Sequence, residues 1–88
     1  MKFNEKLLKD NGIKLILDTD PTIFGTIKYV DDLYLINYWY KNVYQNEFHE
    51  DSMSDARIKL KSLLINAYKQ SKLDENILSF KEWENLKK

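Results

Sequence analysis

Apolar side chains recur along this chain with two different periods. Over residues 13–17, 23–30 and 33–40 they gather into short runs rich in β-branched and aromatic residues. Over residues 53–67 they return every three or four positions. The first pattern predicts strands and the second an amphipathic helix. IKLIL, residues 13–17, is the first predicted strand, closed by DTDPT, whose Pro and acids suit a turn. Residues 23–30 form the second, where Gly25 marks a bulge or a close neighbour. Asp31-Asp32 turns the chain into the third, and Lys41-Asn42 is a two-residue connection that predicts a tight hairpin into the fourth.

That hairpin, LYLINYWYKNVYQNEFH, is apolar or aromatic from Leu33 to Tyr40 except at Asn37, so both faces of the third strand look fit for burial. Pairing Tyr40 with Val43 sets Trp39 against Tyr44, Tyr38 against Gln45, Asn37 against Asn46, Ile36 against Glu47 and Leu35 against Phe48. One face then carries Leu35, Trp39, Tyr44 and Phe48. The other carries Tyr34, Ile36, Tyr38, Tyr40, Val43, Gln45 and Glu47. The first is the expected core face, because the second mixes apolar and polar groups.

In HEDSMSDARIKLKSLLINAYKQS, Met53, Ala56, Leu60, Leu63, Leu64 and Ala67 make one stripe at 100° per residue, expected to pack on the sheet. Ser52 followed by Asp55 resembles a capping box. Ile58 and Ile65 form a smaller stripe on roughly the opposite side. Residues 2–10, KFNEKLLKD, set Phe3, Leu7 and Leu8 on one helical side before Asn11-Gly12, which predicts a short N-terminal helix. Ser79 and Glu82 predict a second capping box and a short C-terminal helix whose Phe80, Trp83 and Leu86 would cover Ile58 and Ile65. The expected fold class is α+β in a single domain, residues 1–88. It is a four-stranded antiparallel meander with a short helix before it, a long helix on one face and a short helix after it.

The chain has 88 residues, and a domain of this size buries roughly 60% of its unfolded surface, enough for one modest core. It has no Cys, so disulfides and thiolate metal sites are excluded. No apolar run approaches the roughly 20 residues that span a bilayer, and the first dozen residues lack the apolar stretch of a signal peptide; a cytoplasmic protein is expected. Lys plus Arg and Asp plus Glu each number 14, with six of each sign in residues 1–44 and eight of each in 45–88. The basic surplus of a dedicated nucleic-acid binder is absent.

The residues that carry chemistry are sparse. His49 is the single histidine, and the two glycines, Gly12 and Gly25, are too few for one phosphate-binding glycine motif and too far apart for the other. The paired carboxylates Asp18 and Asp20, Asp31 and Asp32, and Glu50 and Asp51 all fall in predicted turns, where Asp belongs for backbone reasons. No catalytic residue, metal ligand or cofactor is expected. Two features remain for binding. Tyr34, Tyr38 and Tyr40 around Ile36 would stand on the sheet face opposite the long helix, and Tyr offers rigid contact area with a polar tip. Asp10, Asp31, Asp32, Glu50 and Asp51 would share one edge of the meander, with Glu47 one step in. Such an acidic edge suits a basic partner.

The block YLINYWYKNVYQNEFHEDSMSDARIKLKSLL, a hairpin running into a capped helix, resembles small accessory proteins of phages and mobile elements, including the anti-CRISPR or anti-defence type. That resemblance implies a stoichiometric binder that occupies the basic nucleic-acid-binding surface of a host nuclease or effector subunit. The order helix, strands, helix is similar to a double-stranded-RNA-binding domain, yet HEDSMSD replaces the Lys cluster at the start of that family's second helix. NEFHEDSMSDARIKL also looks like the strand-to-helix step of an antitoxin fold. The partner expected first is therefore a host protein. The alternatives are nucleic acid stacked on the tyrosines, a toxin, and a second copy of the chain using the tyrosine face as a homodimer interface.

Overall fold

The computed structural model describes residues 2–87, with side chains through Leu73. Five strands, β1 (Phe3–Leu7), β2 (Ile13–Leu17), β3 (Phe24–Val30), β4 (Leu33–Tyr40) and β5 (Val43–Glu50), precede one helix, α1 (Met53–Lys87). The strands form an antiparallel meander in the order β1-β2-β3-β4-β5. The α+β meander with a long helix on one face is as expected, and several details differ.

First, residues 3–7 are a strand, not a helix. Leu7 is 84% exposed while Phe3 packs against the core, so the stripe that suggested a helix is not buried as one face. The segment instead pairs with β2, Phe3 opposite Leu17 through Leu7 opposite Ile13. A ladder with a preformed neighbour outweighs the modest helix preference of Lys, Glu and Leu. Asn11-Gly12, read as a helix stop, is part of the hairpin turn: Asn11 has φ 61°, and Leu8 N donates to the Gly12 carbonyl at 2.8 Å. Gly12 is required by closeness, since a Cβ there would lie 2.7 Å from the Ile27 carbonyl oxygen.

Second, α1 runs unbroken through residues 72–79, where a break was expected. That stretch contains neither Gly nor Pro, so nothing in it stops a helix. The predicted C-terminal cap and the side chains of Phe80, Trp83 and Leu86 lie outside the described side chains. Ile58 is 63% exposed.

Both two-residue hairpins have left-handed backbone at each central residue: Asp31 and Asp32 at φ 52° and 64°, Lys41 and Asn42 at 52° and 66°. This is the type I′ geometry whose twist matches the flanking strands, and Asp and Asn tolerate it best after Gly. The helix start is also as read, with Ser52 Oγ accepting from Asp55 N at 3.1 Å and the Ser52 carbonyl accepting from Ala56 N at 2.9 Å.

The core lies between α1 and one sheet face. Ala56, Leu60 and Leu64 are fully buried against Ile13, Leu15, Leu17, Ile23, Ile27 and Ile36, with Met53, Leu63 and Ala67 half-buried beside them. The predicted helix stripe therefore packs as expected. Its sheet partner does not. Ile36, Tyr34, Tyr38 and Tyr40 face the helix, and Leu35 and Trp39 point the other way. The cause lies outside the hairpin. Ile13, Leu15, Leu17 and Ile27 make the strongest apolar face in the first half of the sheet, and the pairing of Ile27 with Ile36 carries that face onto β4.

A register shift between Tyr38 and Trp39 completes the difference. Trp39 pairs with Tyr44, but Tyr38 pairs with Asn46, which leaves Gln45 as an extra residue. A one-residue insertion moves everything beyond it to the opposite face relative to an unbroken ladder. Hence Phe48 sits opposite Ile36 on the helix side, not beside Leu35, and Glu47 sits opposite Asn37, not Ile36.

Candidate functional site

The face away from α1 can be read from the registers as rows crossing the strands. One row is Ile16, Phe24, Trp39 and Tyr44. The next is Lys6, Lys14, Thr26, Asn37 and Glu47, and the third is Lys28, Leu35 and His49. Ile16, Phe24, Leu35 and Trp39 are half-buried by their neighbours on the sheet, and Tyr44 is 49% exposed.

The aromatic row packs on itself. The Phe24 and Trp39 rings stack with centroids 5.0 Å apart at 12°, and Trp39 meets Tyr44 edge-on at 5.4 Å and 66°. The Lys14 ammonium lies 4.5 Å from the Phe24 centroid, so Phe24 is held between a cation from β2 and an indole from β4. The Tyr44 hydroxyl donates to Asn37 Oδ1 at 2.7 Å, tying the first row to the second. Each such aromatic pair contributes about 0.5–1.5 kcal/mol beyond its buried area. The result is a preorganised ridge of apolar edges, flanked by lysines toward β1 and by Glu47 toward β5. Glu47 Oε1 is 3.7 Å from His49 Nε2, with both side chains about half exposed.

The three tyrosines singled out in the sequence lie on the other side. Tyr38 stacks on Phe48 at 6.4 Å, Tyr34 meets Tyr29 at 4.8 Å, and Lys41 lies 5.4 Å from the Tyr40 ring centroid. All three pack against the core, so they do not form the open face that the sequence suggested. Tyr38 and Tyr40 instead wall a groove of about 430 Å³ under α1, completed by Gln45, Leu63, Asn66, Ala67 and Gln70.

The acids divide. Asp10 in the β1–β2 turn, Asp31 and Asp32 in the β3–β4 turn, and Glu50 and Asp51 at the end of β5 all lie at one end of the meander. Strand spacing separates the two turns by roughly 10 Å. Asp32 accepts a hydrogen bond from the Tyr29 hydroxyl at 3.1 Å. That bond, and the charge of Asp32, hold the Tyr29 phenol above its ordinary pKa. Glu47 is not in this group but lies within the open face, opposite Asn37.

Phe24, Ile16 and Lys14 were not picked out from the sequence as a site, and Trp39 and Tyr44 were assigned to the core. The signal was present in β2 and β3, where Lys14, Ile16, Phe24 and Thr26 alternate with the residues that are buried. Among the described residues no group of three or more His, Cys, Asp or Glu could hold a metal ion, and no helix is long and apolar enough to cross a membrane. No protein-family model, curated protein or solved structure matches the chain.

Proposed function

We propose that this chain is a non-enzymatic protein-binding module that docks through the β4–β5 half of the open sheet face. The observation that carries this reading is the ridge of Phe24, Trp39 and Tyr44 in a row with Ile16, outside the core that α1 covers. Contiguous apolar surface rimmed by polar groups is the usual mark of an interaction site, and Trp and Tyr are the side chains enriched where binding energy concentrates. The acids Asp31, Asp32, Glu50 and Asp51 at the adjacent strand ends supply the charge that favours a basic partner. In its fuller form, suggested by the accessory-protein resemblance, the module is a phage or mobile-element inhibitor that occupies the nucleic-acid-binding surface of a host defence nuclease. Tyr34, Tyr38 and Tyr40 lie on the other face of the sheet, toward α1, and are not part of this surface.

A second reading, single-stranded nucleic acid on the same face, is favoured by one observation: Lys6 and Lys14 lie in the row next to the aromatic one, with Lys28 one row further on. Against it, Phe24 already has Trp39 and Lys14 on its ring, which leaves little of it for a stacked base.

Capture from host lysate with and without nuclease treatment, read by mass spectrometry, separates the two. The protein reading expects one basic protein retained after nuclease treatment. It should be lost with Trp39→Ala and with the joint reversal of Asp31, Asp32, Glu50 and Asp51 to Lys, while circular dichroism shows both variants folded. Retention that depends on nucleic acid would overturn it.

A further inference from the structure

We propose that, before any partner is engaged, the open face is closed by a second copy of this chain, sheet against sheet. The inference takes from the reading above only that this face is a docking surface. It is carried by the rows themselves, which are self-complementary about an axis running along the strands between β3 and β4. A two-fold rotation about that axis lays β3 of one copy over β4 of the other, and β2 over β5. Because the axis follows the strands, each row stays level with itself.

Phe24 then meets Trp39 of the second copy, Ile16 meets Tyr44, and Thr26 meets Asn37. Lys14 meets Glu47, twice over by symmetry, and the stem of Lys28 crosses Leu35 with its ammonium free to reach water. Apolar row lies on apolar row, polar on polar, and cation on anion. An axis centred on β3 would set Lys28 against Lys28, and one centred on β4 would set Glu47 against Thr26 and leave Lys14 with no strand opposite it.

Sheets pack face to face in this way with strands within about 30° and roughly 10 Å between layers. The isologous contact is the one that closes without leading to fibres. Formal net charge is zero, so two copies carry no overall repulsion. The product is a four-layer helix–sheet–sheet–helix dimer in which the ridge is buried until a partner competes for it.

The test is mass by light scattering and sedimentation across a micromolar-to-millimolar concentration series. The native chain is expected to shift from monomer to dimer. Thr26→Arg, which sets a cation from each copy at the centre of the contact, is expected to remain monomeric with an unchanged circular dichroism spectrum. Lys14→Glu and Glu47→Lys should each weaken the dimer roughly tenfold, and the double variant should restore it, because the swapped charges attract again. A native chain monomeric throughout the series overturns the proposal. So does a dimer indifferent to Thr26→Arg and to the charge reversals, which would place the contact elsewhere. The earlier reading fails separately, if a confirmed dimer retains no nuclease-resistant partner from lysate.

Discussion

The two faces of β4 carry nearly the same chemistry and have opposite fates. Ile36, flanked by Tyr34 and Tyr38, lies fully buried under α1. Leu35 and Trp39, the intervening residues of the same strand, stand half-buried on the side away from it. Neither composition nor alternation distinguishes the two sets, since both mix aliphatic and aromatic groups. What separates them is the company each keeps across the sheet. Ile36 lies in a row with Ile13 and Ile27, whereas Leu35 lies beside Lys28 and His49. A strand that is apolar on both sides takes its inside from its neighbours.

The most direct way to break this comparison is to truncate one residue from each face. Ile36→Ala removes a fully buried side chain and is expected to cost about 3–4 kcal/mol in urea unfolding. Trp39→Ala, measured at concentrations where the chain is monomeric, removes a larger side chain with one side in water and is expected to cost about 1–2 kcal/mol. Equal losses would mean that the face is not open.

Adding atoms sharpens the same contrast. A Cβ at Gly25 would collide with the Leu60 side chain and lie 2.8 Å from the Asn37 carbonyl oxygen, a backbone atom that cannot yield easily. Gly25→Ala is therefore expected to destabilise by about 2 kcal/mol. Thr26→Ala, one residue along and on the open face, should cost no more than about 1 kcal/mol, the span of strand preference.

The bulge offers a subtler check. Deleting Gln45 removes the extra residue without moving the partners on either side of it, so Phe48 should stay beneath the helix. The stability change is expected within about 1 kcal/mol, and nuclear Overhauser contacts between Phe48 and Lys59 should persist. Their loss would show that the strand had slipped and that Gln45 sets the register.

The smallest expected effect is at the rim. The Tyr29 phenol titrates above its ordinary value of 10.0 because Asp32 accepts its hydrogen bond and opposes the phenolate charge. The sign follows from linkage: the folded state holds this proton more tightly, so the associated stability is present below the unfolded pKa and is lost as pH rises through the folded one. Asp32→Asn should lower the Tyr29 pKa in a ring-proton titration. No change would mean that the hydrogen bond contributes nothing in solution.

Much of this architecture was legible in the chain alone. The stripe Ala56, Leu60 and Leu64 announced a helix packed on a sheet, Ser52 announced its start, and the pairs Asp31-Asp32 and Lys41-Asn42 announced their hairpins. These signals are local, carried by side chains three or four apart or by backbone that few residues tolerate. The open face was not legible, although Lys14, Ile16, Phe24 and Thr26 alternate correctly with buried neighbours. Two competing facts hid it: Tyr34, Tyr38 and Tyr40 looked more like surface residues than Leu35 and Trp39, and nothing near Gln45 marked an insertion.

The sequence by itself determined where the chain turns between its predicted strands, which side of α1 is apolar, and that residues 13–48 can form strands. Each of these follows from periods and torsions within a few residues. Only the tertiary structure decided that residues 3–7 join the sheet, that Gln45 is left over, and which side of β4 lies beneath the helix. Those choices depend on pairing between segments far apart in the chain, where a one-residue shift exchanges the inside for the outside. The candidate site exists because that choice left Phe24, Trp39 and Tyr44 on the side away from α1.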